Sequence, residues 1–244
     1  VAPSETPWLV VPTYNEAENL EALIEAARRV LEHAAPEGFV ILVVDDGSPD
    51  GTGELADRLA AQHATVRVLH RPGKTGLGPA YLAGFATAIA GGAGYVMEMD
   101  ADFSHDPADL ARLLAAARDG ADLVLGSRYV AGGGVTDWGA LRRLVSRAGS
   151  LYARWMLGVP VRDLTGGFKC FRRATLEAIE FPTVRSQGYA FQIELTYRAA
   201  RSGFEVVELP IVFRERRVGR SKMSSRIALE AFWRVPQMRL RGRG

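Results

Sequence analysis

The sequence predicts an α/β domain: a mostly parallel central sheet with helices on both faces. Three observations carry this. Short β-branched runs alternate with segments whose apolar residues recur at helical spacing. Val40–Val44 is apolar throughout, as in a strand buried on both faces. Polar motifs begin where such runs stop: Val11-Pro-Thr-Tyr-Asn-Glu16, Val43-Val-Asp-Asp-Gly-Ser-Pro-Asp-Gly-Thr52, Asp100-Ala-Asp102 and Gly126-Ser-Arg-Tyr129. The first three read as the C-terminal ends of parallel strands, the edge at which open α/β sheets bind ligands.

The elements follow in order. Trp8–Val11 is a strand. Ala17–Glu32 is a helix with Leu20, Leu23, Ile24, Ala27, Val30 and Leu31 on one face. Val40–Val44 is a strand, Thr52–Ala61 a helix, Thr65–Leu69 a strand and Pro79–Ala90 a helix. Tyr95–Met99 is a strand, Pro107–Arg118 a helix with Pro in its first turn, and Leu123–Leu125 a strand. The second half reads differently. A long amphipathic helix, Trp138–Leu157, leads to a loop through Asp163-Leu-Thr-Gly-Gly-Phe168. Ala190–Ser202 is a helix, Val206–Phe213 a strand, and Ser225–Leu240 a terminal helix with a bend expected at Pro236. No Gly/Ser or Pro linker separates the halves, so one catalytic domain over residues 1–222 with a basic amphipathic appendage over 223–244 is expected.

Composition narrows the class. With 244 residues and 48% apolar content the chain can bury a substantial core. The single cysteine, Cys170, excludes an intramolecular disulfide; it reads as a small buried hydrophobe in a protein of a reducing, cytosolic compartment. No run approaches the ~20 apolar residues of a membrane span, and Val1-Ala-Pro-Ser-Glu-Thr-Pro7 lacks the features of a signal peptide. Net charge is +2, yet ten of the basic residues fall between Arg214 and Gly244, opposed only by Glu215 and Glu230. Such an end implies an anionic partner.

Asp100 and Asp102, at i and i+2, point to the same side of a strand and can reach one cation. Hard oxygen ligands suit Mg²⁺ or Mn²⁺, whose task would be to neutralise a diphosphate leaving group. The bland reading is two aspartates capping turns. Asp45 and Asp46 end a second strand, where a carboxylate can accept hydrogen bonds from a base or ribose. Pro12, Tyr14 and Glu16 lie at the mouth of the first, with Asn15 or Glu16 also readable as a helix start. A dinucleotide dehydrogenase would show Gly-x-Gly-x-x-Gly after the first strand; Pro-Thr-Tyr-Asn-Glu stands there instead. A P-loop is absent too.

With these motifs in this order, plus Met99-Asp-Ala-Asp-Phe-Ser-His105 and Gly219-Arg-Ser-Lys222, the chain resembles the family-2 glycosyltransferases of GT-A (Rossmann-like) fold, and within them the polyprenol or dolichyl phosphate mannose synthases. The resemblance runs from about Trp8 to Lys222. It implies metal-dependent, inverting transfer of mannose from GDP-mannose to a polyprenyl (dolichyl-type) monophosphate at the cytoplasmic face of a membrane. It places Pro12, Tyr14, Glu16, Val44 and Asp46 at the nucleobase and ribose, and Asp100 and Asp102 at the diphosphate and its Mg²⁺ or Mn²⁺, with Ala101 against the nucleotide. Arg216 and Lys222 would close over the diphosphate. It also places Ser104 at the donor, where some relatives carry Gln, and Ala190 where some carry a basic residue. Arg128, Arg142 and Ser146 would meet the acceptor phosphate.

The helical stripe Trp138, Leu141, Leu144, Val145, Ala148, Leu151, Tyr152 and Trp155, rimmed by Arg142, Arg143, Arg147 and Arg154, reads either as core-facing or as interfacial. Ile227, Leu229, Phe232, Trp233 and Val235 repeat the theme in the terminal helix, and two such helices favour a lipid-phosphate acceptor. Asp163 is a candidate for holding the sugar or a basic residue. With a hydroxyl acceptor it would be the base. The rival readings are a glucosyltransferase or another family-2 enzyme with a different donor or acceptor, and a noncatalytic nucleotide-sugar-binding module. A nucleic-acid binder is disfavoured, since the tail has no recognisable motif and a membrane surface, or a membrane-embedded partner, explains its charge equally well.

Overall fold

The computed structural model describes residues 5–215 and 225–241. The chain runs β1 (Pro7–Thr13), α1 (Ala17–Ala34), β2 (Val40–Asp45), α2 (Thr52–Gln62), β3 (Val66–His70), α3 (Leu77–Ala90), β4 (Tyr95–Glu98), α4 (Asp109–Arg118), β5 (Leu123–Ser127), β6 (Gly134–Val135) and α5 (Ala140–Leu157). It continues through β7 (Lys169–Arg172), α6 (Arg173–Ala178), a 3₁₀ turn (Phe181–Thr183), α7 (Gly188–Arg201), β8 (Val206–Pro210), β9 (Val212–Phe213) and α8 (Ser225–Arg241).

Seven strands form one sheet in the order β3-β2-β1-β4-β7-β5-β8. β1 pairs in parallel with β2 and β4, β2 with β3, and β5 with β8. β7 alone runs against its neighbours, wedged between β4 and β5. Side chains alternate across the pleat. Leu9 and Val11 of β1 join Ile41 and Val43 of β2 in a core covered by α1, α2 and α4. Trp8 and Val10 join Leu42 and Val44 in the opposite core, which receives α3, α7 and parts of α5 and α8. The continuous apolar run of β2 therefore feeds two cores at once. The α3 side is packed closely: a Cβ on Gly84 would sit 2.3 Å from Val10 Cγ1. Cys170 lies on β7, fully buried and unbridged.

Through β5 the expected elements are observed, with ends moved by up to two residues. The second half required more correction. β7 and α6 fall where no element was expected. The expected strand over Val206–Phe213 divides at Ile211, whose N–H turns to Ser127 O at 3.1 Å, and β9 pairs with β6 in a small separate sheet. The terminal helix continues through Pro236. The expected domain boundary at 222/223, like Arg216 and Lys222, lies outside the described residues. Among the described residues no helix is long and apolar enough to cross a membrane.

Candidate active site

β1, β2 and β4 end on one edge of the sheet, and a cavity of about 300 Å³ opens there. Pro12, Tyr14, Glu16, Asp46, Asp100, Ala101, Asp102, Ser104, Arg128 and Arg142 all line it. Three expected residues do not. Val44 is buried in the core below, with its carbonyl 3.4 Å from Thr13 Oγ1. Ser146 accepts a hydrogen bond from the Tyr129 hydroxyl at 2.6 Å. Asp163 lies wholly buried behind Arg128.

The loop after β2 shapes the part of the cavity around Asp46. Asp45 turns inward, accepting from Thr13 Oγ1 at 3.2 Å and from Ser48 N at 3.1 Å. Asp46 faces the cavity and is clamped by the Arg71 guanidinium and by Thr75 N at 3.4 Å. The start of α1 is not capped by its own side chains. Ser48, Thr52 and Asp50 reach across instead, accepting from Asn15 N, Glu16 N and Ala17 N at 3.0, 3.0 and 3.2 Å. Part of the second motif thus caps the first helix. Asn15 adopts a left-handed backbone, φ 55°, a conformation asparagine tolerates. Lys74 stands over the Tyr14 ring with Nζ 4.2 Å from its centroid.

Asp100 and Asp102 come after the end of β4, not on it, so the turn, rather than strand alternation, brings both to the cavity. Asp102 Oδ1 also accepts Ser104 N at 3.0 Å: the turn-capping role and the cavity role coexist. Tyr81 donates to Asp100 Oδ1 at 3.4 Å from below. Among the described residues no group of three or more His, Cys, Asp or Glu side chains is arranged to hold a metal. Two carboxylates on a cavity still fit a hard cation that completes its shell with phosphate oxygens and water, the habit of Mg²⁺.

Arg128 lines the same cavity. Its Nε and Nη2 bond Asp163 Oδ2 and Oδ1 at 2.7 and 2.6 Å, and its backbone N–H also reaches Oδ2, at 2.9 Å. Nη2 further donates to Thr165 Oγ1 at 2.8 Å. Burial by itself would lower the guanidinium pKa; the charge and hydrogen bonds of Asp163 outweigh it, and the net displacement is upward. For Asp163 burial acts to raise the pKa, and Arg128 brings it below the usual carboxylate value. Of the two roles expected for Asp163, the geometry selects the holding of a basic residue. Tyr129, Trp138 and Phe213 surround the guanidinium with rings at 5.2, 5.9 and 5.4 Å.

At the mouth, Arg142 lies 4.1 Å above the Trp138 ring and pairs with Glu215 at 2.7 Å. Beyond it α5 turns most of its apolar stripe outward: Leu141 is 74% exposed, Leu144 65%, Leu151 64% and Trp155 75%. Trp138 is buried and Tyr152 half-buried, so those two do not share that outward face. Tyr152 stacks on Phe232 of α8 at 4.8 Å, and Phe232 and Trp233 extend the exposed apolar surface.

The family model for glycosyl transferase family 2 matches residues 8–180. The chain belongs to glycosyltransferase family 2. It is 49% identical to polyprenol monophosphomannose synthase of Mycolicibacterium smegmatis over 100% of this chain and 90% of that protein. It is also 49% identical to undecaprenyl-phosphate mannosyltransferase of Micrococcus luteus, over 96% of this chain and 94% of that one. Glucosyl-3-phosphoglycerate synthase from Mycobacterium tuberculosis, solved with Mg²⁺ and UDP, shares the fold with a TM-score of 0.68 at 19% identity, over 96% of this chain and 79% of that one. This glycosyltransferase therefore has a GT-A architecture.

Sequence reasoning assigned no role to His105, Lys74 or Gln192 and read Trp138 only as part of the apolar stripe, yet all four lie on the cavity of this glycosyltransferase. Only position after the Asp-x-Asp segment could have flagged His105. Its ring stacks on Phe168 at 4.9 Å and meets Phe213 edge-on at 5.2 Å. Burial, with the nearby Asp102 pulling the other way, depresses its pKa from 6.5 to about 4. Between those two values the unfolded chain binds the proton that the folded chain refuses, so stability is full above pH 6.5 and falls as the pH drops toward 4. A displacement of that size is worth about 3 kcal/mol at the acid end. Urea midpoints should accordingly decline from pH 7 to 4.5, with a shallower decline in His105→Gln; identical slopes would contradict the buried neutral ring.

Proposed function

We propose that this glycosyltransferase moves mannose from GDP-mannose to a polyprenyl (dolichyl-type) monophosphate in one inverting displacement, releasing GDP and leaving a β-linked lipid phosphate sugar. The observation that carries this reading is the layout of the cavity. Paired carboxylates, a locked arginine and a second, half-exposed arginine line one cavity, and that second arginine belongs to α5, which presents exposed leucines and tryptophan. That layout suits a nucleotide diphosphate inside and an anionic head on an apolar chain outside. The names of the two 49%-identical relatives support the acceptor class and the sugar.

A phosphate monoester is largely dianionic above its second pKa of about 6 and needs no strong base. The side chains have only to place and screen it. Arg128 presents a planar fork held still by Asp163, and Arg142 offers a second charge-assisted contact at the entrance. Asp163, ionised and bonded on both oxygens, is unsuited to proton abstraction. Asp100 and Asp102 would hold the divalent cation, which when bound stabilises charge on the departing diphosphate. Positioning and fixed charges then supply the rate enhancement.

The exposed faces of α5 and α8 would rest on the cytoplasmic leaflet, peripherally or beside a membrane-embedded partner. Leu144→Glu with Trp155→Glu should lower binding to anionic vesicles by about tenfold or more without lowering the melting temperature, because both side chains are already exposed. Unchanged vesicle binding would remove this face from the membrane.

The deciding assay offers labelled nucleotide sugars to a polyprenyl phosphate with Mg²⁺ or Mn²⁺, or with chelator. Product from GDP-mannose that disappears with chelator is expected. Product from another donor would change the sugar, and metal-independent product would remove the cation from Asp100 and Asp102.

A further inference from the structure

Beneath the cavity floor lies a charged cluster for which the mechanism above has no use. Lys169 of β7 and Glu98 of β4 face each other in cross-strand register and are both completely buried, with Nζ 3.2 Å from Oε1. A buried pair of this kind adds little net stability over apolar packing. Its third member is Gln192 of α7, which is 3% exposed and lines the cavity. Lys169 Nζ donates to the Gln192 side-chain oxygen and, at 3.2 Å, to its backbone carbonyl. Lysine has no acceptor to offer, so the carboxamide can take only one orientation, oxygen toward Lys169 and Nε2 away from it. One Nε2 hydrogen is directed to Glu98 Oε2 at 3.4 Å; the other has no acceptor among the described residues.

Two glycines keep that amide open. A Cβ on Gly167 would lie 3.1 Å from Gln192 Nε2 and 4.0 Å from Asp100 Oδ2. A Cβ on Gly166 would lie 3.6 Å from Asp163 Cγ. The Gly166-Gly167 backbone thus spans from the carboxylate that serves the diphosphate to the Arg128–Asp163 pair that serves the nucleophile. The transferred sugar must occupy the space between those two poles. We propose that Gln192 is a sugar-recognition residue, that its Nε2 donates to a hydroxyl of the transferred hexose, and that Lys169 and Glu98 are positioning residues that fix the amide for this contact. The proposal rests on the donor site assigned above, and a neutral amide suits a neutral hydroxyl, leaving the diphosphate to the charged groups.

The test compares GDP with GDP-mannose by calorimetry in Mg²⁺. Gln192→Met keeps the length and removes the donor. Gly167→Ala keeps all three side chains of the cluster and sets a methyl against the amide, 3.1 Å from Nε2, which must yield by a few tenths of an ångström; its φ lies outside the left-handed region, so the backbone accepts alanine. Both variants should bind GDP within about twofold of the parent and GDP-mannose about five- to tenfold more weakly, the scale of one lost hydrogen bond. Retained GDP binding reports that the fold is intact, and Gly167→Ala decides the matter if Gln192→Met does not fold. Lys169→Met with Glu98→Gln should show the same split. Equal losses for both ligands would move the contact to the diphosphate and overturn the proposal, as would unchanged GDP-mannose binding. A parent protein that binds no GDP-mannose would instead sink the donor reading itself.

Discussion

Arg128→Ala should abolish measurable transfer and also lower stability by about 3–5 kcal/mol, because it strands a buried carboxylate. Both parts follow from one arrangement. Asp163 is completely buried, and its two oxygens are held by the Arg128 fork, the Arg128 backbone N–H and Thr165. Arg128→Lys keeps a charge but not the fork, and should recover part of the stability and little of the rate. Asp163→Asn should raise KM for the lipid phosphate and cut kcat, since the arginine is no longer held, while GDP binds as before. Because the Asp163 pKa lies below its ordinary 3.8, the pair's contribution is complete above that value and is lost only as the pH falls through the folded-state pKa. From pH 5 to 8 it should add no slope to stability or rate. An acid limb near neutral pH that vanishes in Asp163→Asn would instead identify Asp163 as a base and bring back a hydroxyl acceptor. Urea unfolding with steady-state kinetics over that range separates the two.

The second large effect is expected at the carboxylate pair. Asp102→Asn should reduce kcat/KM for donor by about 10²–10³, the range found when a preorganised charge-stabilising group is removed. It should leave the melting temperature nearly unchanged. The reason is local: Asp102 Oδ1 accepts the Ser104 N–H at 3.0 Å, and an asparagine carbonyl can accept the same bond. Asp100→Asn should cost a similar factor, with Tyr81 still able to donate to the amide oxygen. Wild-type kcat/KM in either variant, measured at saturating Mg²⁺, would show that the pair caps the turn and does nothing more.

These two sites differ in how they could be read. Asp100 and Asp102 are two residues apart in a short motif, and their meeting at one cavity followed from chain proximity. Arg128 and Asp163 are separated by β6, α5 and the loops around them. Each was legible as a candidate, yet their bidentate contact depends on where the chain returns after α5. Gln192 and Lys169 were not legible at all. A lysine that starts a four-residue strand, Lys169–Arg172, reads as loop, because strand signals rest on apolar or alternating runs and this one carries charge at both ends.

The sequence by itself determined the alternation of strands and helices through β5, the strand ends at which ligands meet the sheet, and ten of the residues on the cavity wall. These are local properties: periodicity, propensity and short motifs express themselves within a few residues of chain. Only the tertiary structure decided that β7 runs antiparallel through the sheet and that Asp163 serves Arg128. It alone showed that the second motif caps the first helix and that most of the apolar stripe of α5 faces outward. A stripe at helical spacing is the same whether it meets a core or an interface. Which of the two it meets is set by elements far away in sequence that either cover the helix or leave it bare.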